Sequence, residues 1–283
     1  MPTATATAQA ASAASASAHL SISDRDFALF QALMHDVAGI HLSTAKKQLV
    51  CGRLSKRLRE RGLSDYGAYY ALLQASGEDA ELQTCVDLLT TNETYFFREP
   101  KHFEFLCRQI LPGFRGAPFR AWSAACSSGE EPYSIAMAAQ EVLGDGAWQV
   151  LGSDISTQVL GHARRATYTL ERARNLTPEQ LRKYCLKGVR SQAGTLRVHP
   201  MLRERVEFGR INLNRPLPAV GRFDVIFLRN VMIYFDMEVK RAVIARLLHQ
   251  LNPGGWLFVG HSESLNGICD TVRTVAPAVY RKP

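Results

Sequence analysis

Trp122-Ser123-Ala124-Ala125-Cys126-Ser127-Ser128-Gly129-Glu130-Glu131-Pro132-Tyr133-Ser134 is the stretch from which the fold is read. Residues 120–124 enter it as a strand, small residues make a turn, and residues 132–143 leave it as a helix with proline in the first turn. A strand that feeds a helix through small residues lets backbone approach a ligand, and the free N–H groups at the helix start favour its polar or anionic parts. Only one glycine is present, so the dinucleotide fingerprint G-x-G-x-x-G is missing, which argues against a nicotinamide oxidoreductase. A ligand without a pyrophosphate does not need those glycines.

Outward from this stretch, apolar runs alternate with helical patterns. Residues 148–153 read as a strand, 156–166 as a helix, 223–228 as a strand and 237–251 as a helix. Asn252-Pro253-Gly254-Gly255 reads as a turn and 256–259 as a buried strand. This alternation predicts an α/β domain with a doubly wound, largely parallel sheet. Residues 177–186 read as a helix, and the pieces 195–198 and 206–208 as a small antiparallel insertion at about 187–212.

Upstream the texture is all helical. Ser23 with Asp26 has the form of a capping box, Phe27, Phe30, Leu33, Met34 and Val37 recur at helical spacing, and Gly39 ends the run. A second helix follows Ser43 and stops at Gly62, Ser64 is placed to cap a third, and a fourth spans 79–89. The expected organisation is a tail at 1–18, a helical domain at 19–90, a linker at 91–117 and the α/β domain at 118–283. The tail is almost entirely Ala, Ser and Thr, without the basic start and leucine-rich stretch of a secretory signal.

The chain has 283 residues, 46% of them hydrophobic, and no apolar run approaches the roughly 20 residues of a membrane helix. Its six cysteines are scattered without metal-ligand spacing, which suits free thiols in a reducing cytoplasm and no metal. A formal charge of +8 calls for an acidic partner, whether nucleic acid, anionic lipid or protein.

Asp154 ends the second strand, 25 residues after Gly129, about where an acidic residue accepts ribose hydroxyls in nucleoside-binding folds. The alternative role is to cap the next helix. Glu131 is either a ligand contact or a first-turn acid favoured by the helix dipole.

Three segments carry a resemblance: Thr90-Thr91-Asn92-Glu93-Thr94-Tyr95-Phe96-Phe97-Arg98-Glu99, the stretch at 122–134, and Phe227-Leu228-Arg229-Asn230-Val231-Met232-Ile233-Tyr234-Phe235, with Gly260-His261-Ser262-Glu263 as a fourth. Together they resemble the chemotaxis receptor methyltransferases, the CheR family, from about residue 20 to the C-terminus. The resemblance implies a Rossmann-like S-adenosylmethionine-dependent methyltransferase domain with a small antiparallel β-subdomain, preceded by a small all-α domain. It implies S-adenosylmethionine as methyl donor and glutamates in the cytoplasmic part of methyl-accepting chemotaxis receptors as acceptors. By position in the matching motifs, cofactor contacts fall on Asn92, Thr94, Arg98, Glu131, Asp154, Asn212, Leu213, Arg229 and Asn230, with Arg98 and Tyr234 beside the transferred methyl.

The basic segment 46–61 carries Val50, Leu54 and Leu58 on one stripe and Lys46, Arg53 and Arg57 on another face. An isolated helix of this kind is merely a solvated one. Given the family, Arg53, Arg57 and Arg59 become candidates for steering an acidic receptor helix. In some relatives the β-subdomain adds a strand to a tethering peptide at the receptor C-terminus, and this chain is open to that mode. Nothing calls for more than a monomer. A nucleic-acid methyltransferase fits the charge, but residues 229–234 lack the Pro-Pro-aromatic pattern of base amino methylation. A non-catalytic adaptor would be expected to have lost Arg98, Asp154 or Tyr234, and all are present.

Overall fold

The computed structural model describes residues 21–283; the expected tail at 1–18 lies outside them. Helix α1, Asp24–Ala38, starts at Ser23, whose hydroxyl accepts from the Asp26 N–H at 3.0 Å and donates to the Asp26 carboxylate at 2.7 Å. Gly39 ends it in the left-handed region at φ 70°, where a side chain would be strained. Helix α2 is Lys47–Glu60, α3 Tyr66–Leu73 and α4 Asp79–Leu89. The cap of α3 is Asp65 rather than Ser64: its carboxylate accepts from the Ala68 N–H at 2.7 Å. Val50, Leu54 and Leu58 of α2 are fully buried with Phe27, Phe30 and Met34 of α1 and Tyr69 of α3, so one apolar stripe per helix builds the bundle core.

The segment expected as a linker is partly helical. Helix α5, Pro100–Phe105, continues through Leu106–Ile110 and Leu111–Phe114, and Phe103, Leu106, Ile110 and Leu111 pack into the core of the α/β domain.

Next come β1 Phe119–Ala124, α6 Glu130–Leu143, β2 Trp148–Asp154, α7 Thr157–Arg165, β3 Thr167–Thr169, α8 Pro178–Tyr184, β4 Cys185–Lys187 and β5 Thr195–Val198. They are followed by α9 Pro200–Arg203, β6 Val206–Arg210, β7 Phe223–Leu228, α10 Met237–Gln250, β8 Leu251–Val259, β9 Arg273–Ala276 and β10 Val279–Arg281. The main sheet runs β6-β2-β1-β7-β8-β10-β9, with β6 through β8 parallel and the last two antiparallel. The chain moves from β1 to β2 on one side and returns to β7 on the other. The carboxyl ends of β1 and β7 therefore flank the switch point where such sheets bind ligands.

Residues 206–208 are not in the insertion: β6 pairs in parallel with β2, Val206 opposite Val150, as the edge of the main sheet. The small antiparallel sheet is β3-β5-β4, and so lies within 167–198. Asn252-Pro253-Gly254-Gly255 is not a free turn either. Leu251 pairs with Phe223 and Trp256 with Val225, so these residues bulge within β8 while the strand carries on.

Candidate active site

Beyond β1 the chain turns sharply. Ala125, Ser127 and Gly129 all have positive φ, at 71°, 50° and 96°. A side chain on Gly129 would place its Cβ 2.8 Å from that of Ala163 and 2.9 Å from the Tyr168 hydroxyl, so this glycine lets α7 and β3 approach the loop. Tyr168 donates to the Ser128 carbonyl at 2.8 Å, and Arg172 bonds the fully buried Glu130 at 2.6 Å. The inserted region thus braces the loop from behind.

In front of the loop lies a cleft of about 1150 Å³, its open mouth included. Its floor is the ends of β1, β2 and β7 and the segment after β6; its roof is Ala38, Leu42, Lys46 and Leu49 of the helical bundle, with residues 90–94 between. Asn92, Thr94, Arg98, Glu131, Asp154, Asn212, Leu213, Arg229, Asn230 and Tyr234 all line it. Ten positions spread over some 140 residues of sequence therefore meet in one place.

Asp154 is buried, and its carboxylate accepts from the Ser127 N–H at 2.8 Å and the Ser156 N–H at 2.9 Å. It joins two loops, while the cap of α7 is Ser156, whose hydroxyl accepts from Val159. Burial pushes the Asp154 carboxyl up, against the pull of these N–H groups. An ionised carboxylate has about four acceptor sites, so lone pairs remain for a diol.

Arg229 is the hub of the opposite wall, with its side chain only 1% exposed. It donates to Glu131 at 2.9 Å and to the Arg98 carbonyl at 2.6 Å, and pairs with Glu99 at 2.9 Å. Glu131 also accepts from Ser123 at 2.6 Å. The one guanidinium leaves its two carboxylates shifted in opposite directions. Glu131 is raised, because burial outweighs Arg229. Glu99 is lowered: burial raises it, but Arg229, Asn230 and the His261 N–H together prevail. His102, buried beside them, is held down to about 4 by burial and then by Arg229.

Arg98 itself is half-buried, donating to the Glu93 carbonyl at 2.8 Å with its guanidinium 5.8 Å from the Tyr95 ring. The Asn212 side chain donates to the Val37 carbonyl at 2.6 Å and so ties the bundle to the cleft. Ile40 bridges Phe235, and the His41 N–H donates to the Tyr234 carbonyl at 2.7 Å.

The structure separates the three arginines of α2. Arg53 donates to the carbonyls of Leu89 and Thr90 at 3.1 and 2.9 Å, closing the end of α4. Arg57 bonds Glu81, itself 3% exposed, with Nε to Oε1 at 2.7 Å and a second contact from Nη2. Arg59 is exposed and, among the described residues, is held by no more than a 3.3 Å bond to the Ser55 carbonyl. Arg53 and Arg57 thus brace the bundle, and Arg59 faces solvent.

The comparisons with known proteins fall on this architecture. Residues 25–90 match the CheR methyltransferase all-alpha domain, and residues 92–280 the CheR methyltransferase SAM binding domain. The chain belongs to the CheR methyltransferase family. It is 43% identical to the chemotaxis protein methyltransferase of Escherichia coli (strain K12) over 87% of each chain. Against that of Salmonella typhimurium it is 41% identical over 92% of this chain and 91% of the relative, and against chemotaxis protein methyltransferase 1 of Pseudomonas aeruginosa 39% identical over 90% and 96%. Among solved structures, a glycopeptide N-methyltransferase complexed with S-adenosylmethionine matches at a TM-score of 0.36 and 15% identity, covering 60% of this chain and 51% of its own, too slight a likeness to carry weight. The chain is an S-adenosylmethionine-dependent methyltransferase, as expected from its motifs.

Sequence reasoning passed over two carboxylates in this site. Glu99 accepts from Asn230 Nδ2 at 3.2 Å besides pairing with Arg229, and Glu263 accepts from the Asn230 N–H at 2.8 Å. Both close motifs that the resemblance rests on, but no spacing rule singles out either one.

Proposed function

We propose that this chain methylates glutamate side chains of methyl-accepting chemotaxis receptors, giving glutamate methyl esters and S-adenosylhomocysteine, and that it works in the cytoplasm as a monomer. The observation that carries the reading is the convergence of the ten expected residues on one cleft at the switch point of the sheet. Among the described residues no helix is long and apolar enough to cross a membrane.

S-adenosylmethionine, when bound, supplies a methyl group already activated on a sulfonium. The chain's share is to bind, align and exclude water. Asp154 has lone pairs left for the ribose diol, and Ile155 and Leu213 offer apolar walls for a purine. Asn92, Thr94, Asn212, Asn230 and the Glu131–Arg229 pair complete the contacts. An acceptor glutamate is ionised near neutral pH and needs no general base. Arg98 orients that carboxylate through directed N–H bonds, and Tyr234 walls the cleft. Arg229 serves Arg98 indirectly by holding its backbone carbonyl.

Arg59, with the exposed Lys56 beside it, is the part of α2 that supports contact with an acidic receptor helix. The outer strand β4 of the small sheet carries an exposed Leu186 and supports addition of a receptor tethering peptide there. Nucleic acid is not part of the reading. The test is transfer of labelled methyl from S-adenosylmethionine to receptor-bearing membranes, followed by mild alkali. Label released as methanol is expected. Alkali-stable label refutes a glutamyl ester, and absence of label with intact cofactor binding turns the reading towards a non-catalytic adaptor.

A further inference from the structure

The Gly260-His261-Ser262-Glu263 segment lies after β8, and the mechanism above gives it no task. Strands β7 and β8 run side by side and end together, Leu228 opposite Val259. Beyond that pair the ladder stops, and the N–H groups of the next residues lose their strand partners. Glu263 meets them. Its Oε2 accepts from the Asn230 N–H at 2.8 Å and the Gly260 N–H at 2.7 Å, and its Oε1 accepts from the Ile233 N–H at 3.3 Å. The residue is 8% exposed, and its own N–H returns to the Gly260 carbonyl at 2.8 Å. A Cβ on Gly260 would lie 2.6 Å from Asn230 Nδ2 and 2.8 Å from Glu263 Oε2, so the approach of the two strand ends leaves no room for a side chain there.

We infer that Glu263 is a positioning residue of the methyl-transfer site, a carboxylate that replaces the missing ladder and sets the turn carrying Asn230 and Tyr234. Asn230 sits at φ 57°, a left-handed conformation that asparagine tolerates better than most non-glycine residues but that still needs partners to hold it in one place. Glu263 fixes its backbone, and Glu99 takes its side-chain amide at 3.2 Å. From there the chain reaches Tyr234, whose N–H bonds the Val231 carbonyl at 3.1 Å and which lines the cleft with Asn230 and Val231. An acceptor of three N–H groups must be a carboxylate: a glutamine in its place turns an NH2 group towards at least one of these donors. Glu263 touches neither reacting group and acts through the turn. The inference rests on the cleft being the S-adenosylmethionine site but not on the identity of the methyl acceptor.

The experiment is titration of S-adenosylhomocysteine into the full-length protein and its variants by calorimetry, with melting temperatures recorded alongside. Wild type is measured first, and its binding stands whatever the receptor assay gives. For Glu263→Gln, Kd is expected to rise at least about tenfold, equivalent to about 1.4 kcal/mol. The control is Asp224→Asn. Asp224 is also a carboxylate holding backbone on β7, but at the far end, where it accepts from the Arg120 N–H at 2.9 Å and from Asn252 at 2.8 Å. That variant is expected to lose melting temperature and keep Kd within about twofold. Should Glu263→Gln fail to fold, Glu263→Asp is read the same way: it keeps the charge and shortens the reach, so Kd still rises. A wild-type Kd in the folded Glu263 variant, or an equal rise for Asp224→Asn, overturns the inference.

Discussion

Replacing Arg229 by methionine would test the site's electrostatic design. The guanidinium is 1% exposed and lies between two carboxylates, Glu99 and Glu131, each 14% exposed. Methionine fills much of the same space but leaves two buried acids without their cation and the Arg98 carbonyl without its donor. Breaking a buried ion pair by removing one partner costs about 3–5 kcal/mol, a large part of the roughly 5–15 kcal/mol that holds a domain folded. The pH dependence carries the sharper information. Without Arg229 the two carboxyls are expected to titrate higher in the folded protein than in the unfolded chain. The folded variant then binds more protons than the unfolded one, so its stability rises as pH falls. Urea unfolding of wild type and variant at about pH 7.5 and about pH 5.5 reads both effects. A deficit of several kcal/mol at the higher pH that shrinks at the lower is expected. A deficit below about 1 kcal/mol, or one equal at both pH values, would refute the argument that Arg229 neutralises these acids.

Arg98→Ala is expected to lower kcat of methyl transfer by about a hundredfold while costing under about 1 kcal/mol of stability, since among the described residues its side chain bonds the Glu93 carbonyl alone and rests near Tyr95. Stopped-point label assays and thermal melts check the two halves. In α2, Arg57→Ala should destabilise by about 2 kcal/mol because buried Glu81 loses its two-pronged partner and keeps the Tyr69 hydroxyl at 2.8 Å and Arg61 at 3.5 Å, whereas Arg59→Ala should change stability by less than about 0.5 kcal/mol and slow receptor methylation. The reverse pattern in melting and rate measurements would undo the assignment of roles. His102, with its folded value at about 4 against an ordinary 6.5, makes the unfolded chain the better proton binder between those values. Its contribution is full above about pH 6.5 and is lost as pH falls towards 4, about 3 kcal/mol in all at 1.36 kcal/mol per unit. His102→Phe, whose ring can keep the packing on Phe258, should flatten that acid limb in a stability-against-pH profile.

What the sequence revealed follows from how local each signal was. Helix α4 and strand β7 are legible to the residue, because apolar periodicity and the glycine just before β7 act within a few positions. The bulge at Asn252–Gly255 is not, because pairing of Leu251 with Phe223, far upstream, overrides strong turn chemistry. Strand β3 is three residues long and has no pattern to read. By pairing with β5 it draws the small sheet into 167–198, away from 206–208. In the site, Asp154 was placed by its distance from Gly129, a rule that reflects fold geometry. Arg57 looked like a surface charge because Glu81, its partner, is 24 residues further on and on another helix. Glu99 and Glu263 escaped notice for the same reason: their partners lie on other loops, and carboxylates on loops are ordinary.

The cleft has a floor from one hydrophobic core and a roof from another, stitched by Asn212 to Val37 and by His41 to Tyr234. A ligand held there is therefore mortar as well as cargo. Every contact it makes to Lys46 or Leu49 on one side and to Asp154 or Asn230 on the other adds to the free energy of domain docking. By linkage, a ligand at a hundred times its Kd adds about 2.7 kcal/mol to whatever must separate to release it. The two domains should then resist proteolysis at the 90–99 connection together when charged with ligand, and part there first when empty, so that the enzyme's own load sets how firmly it is closed.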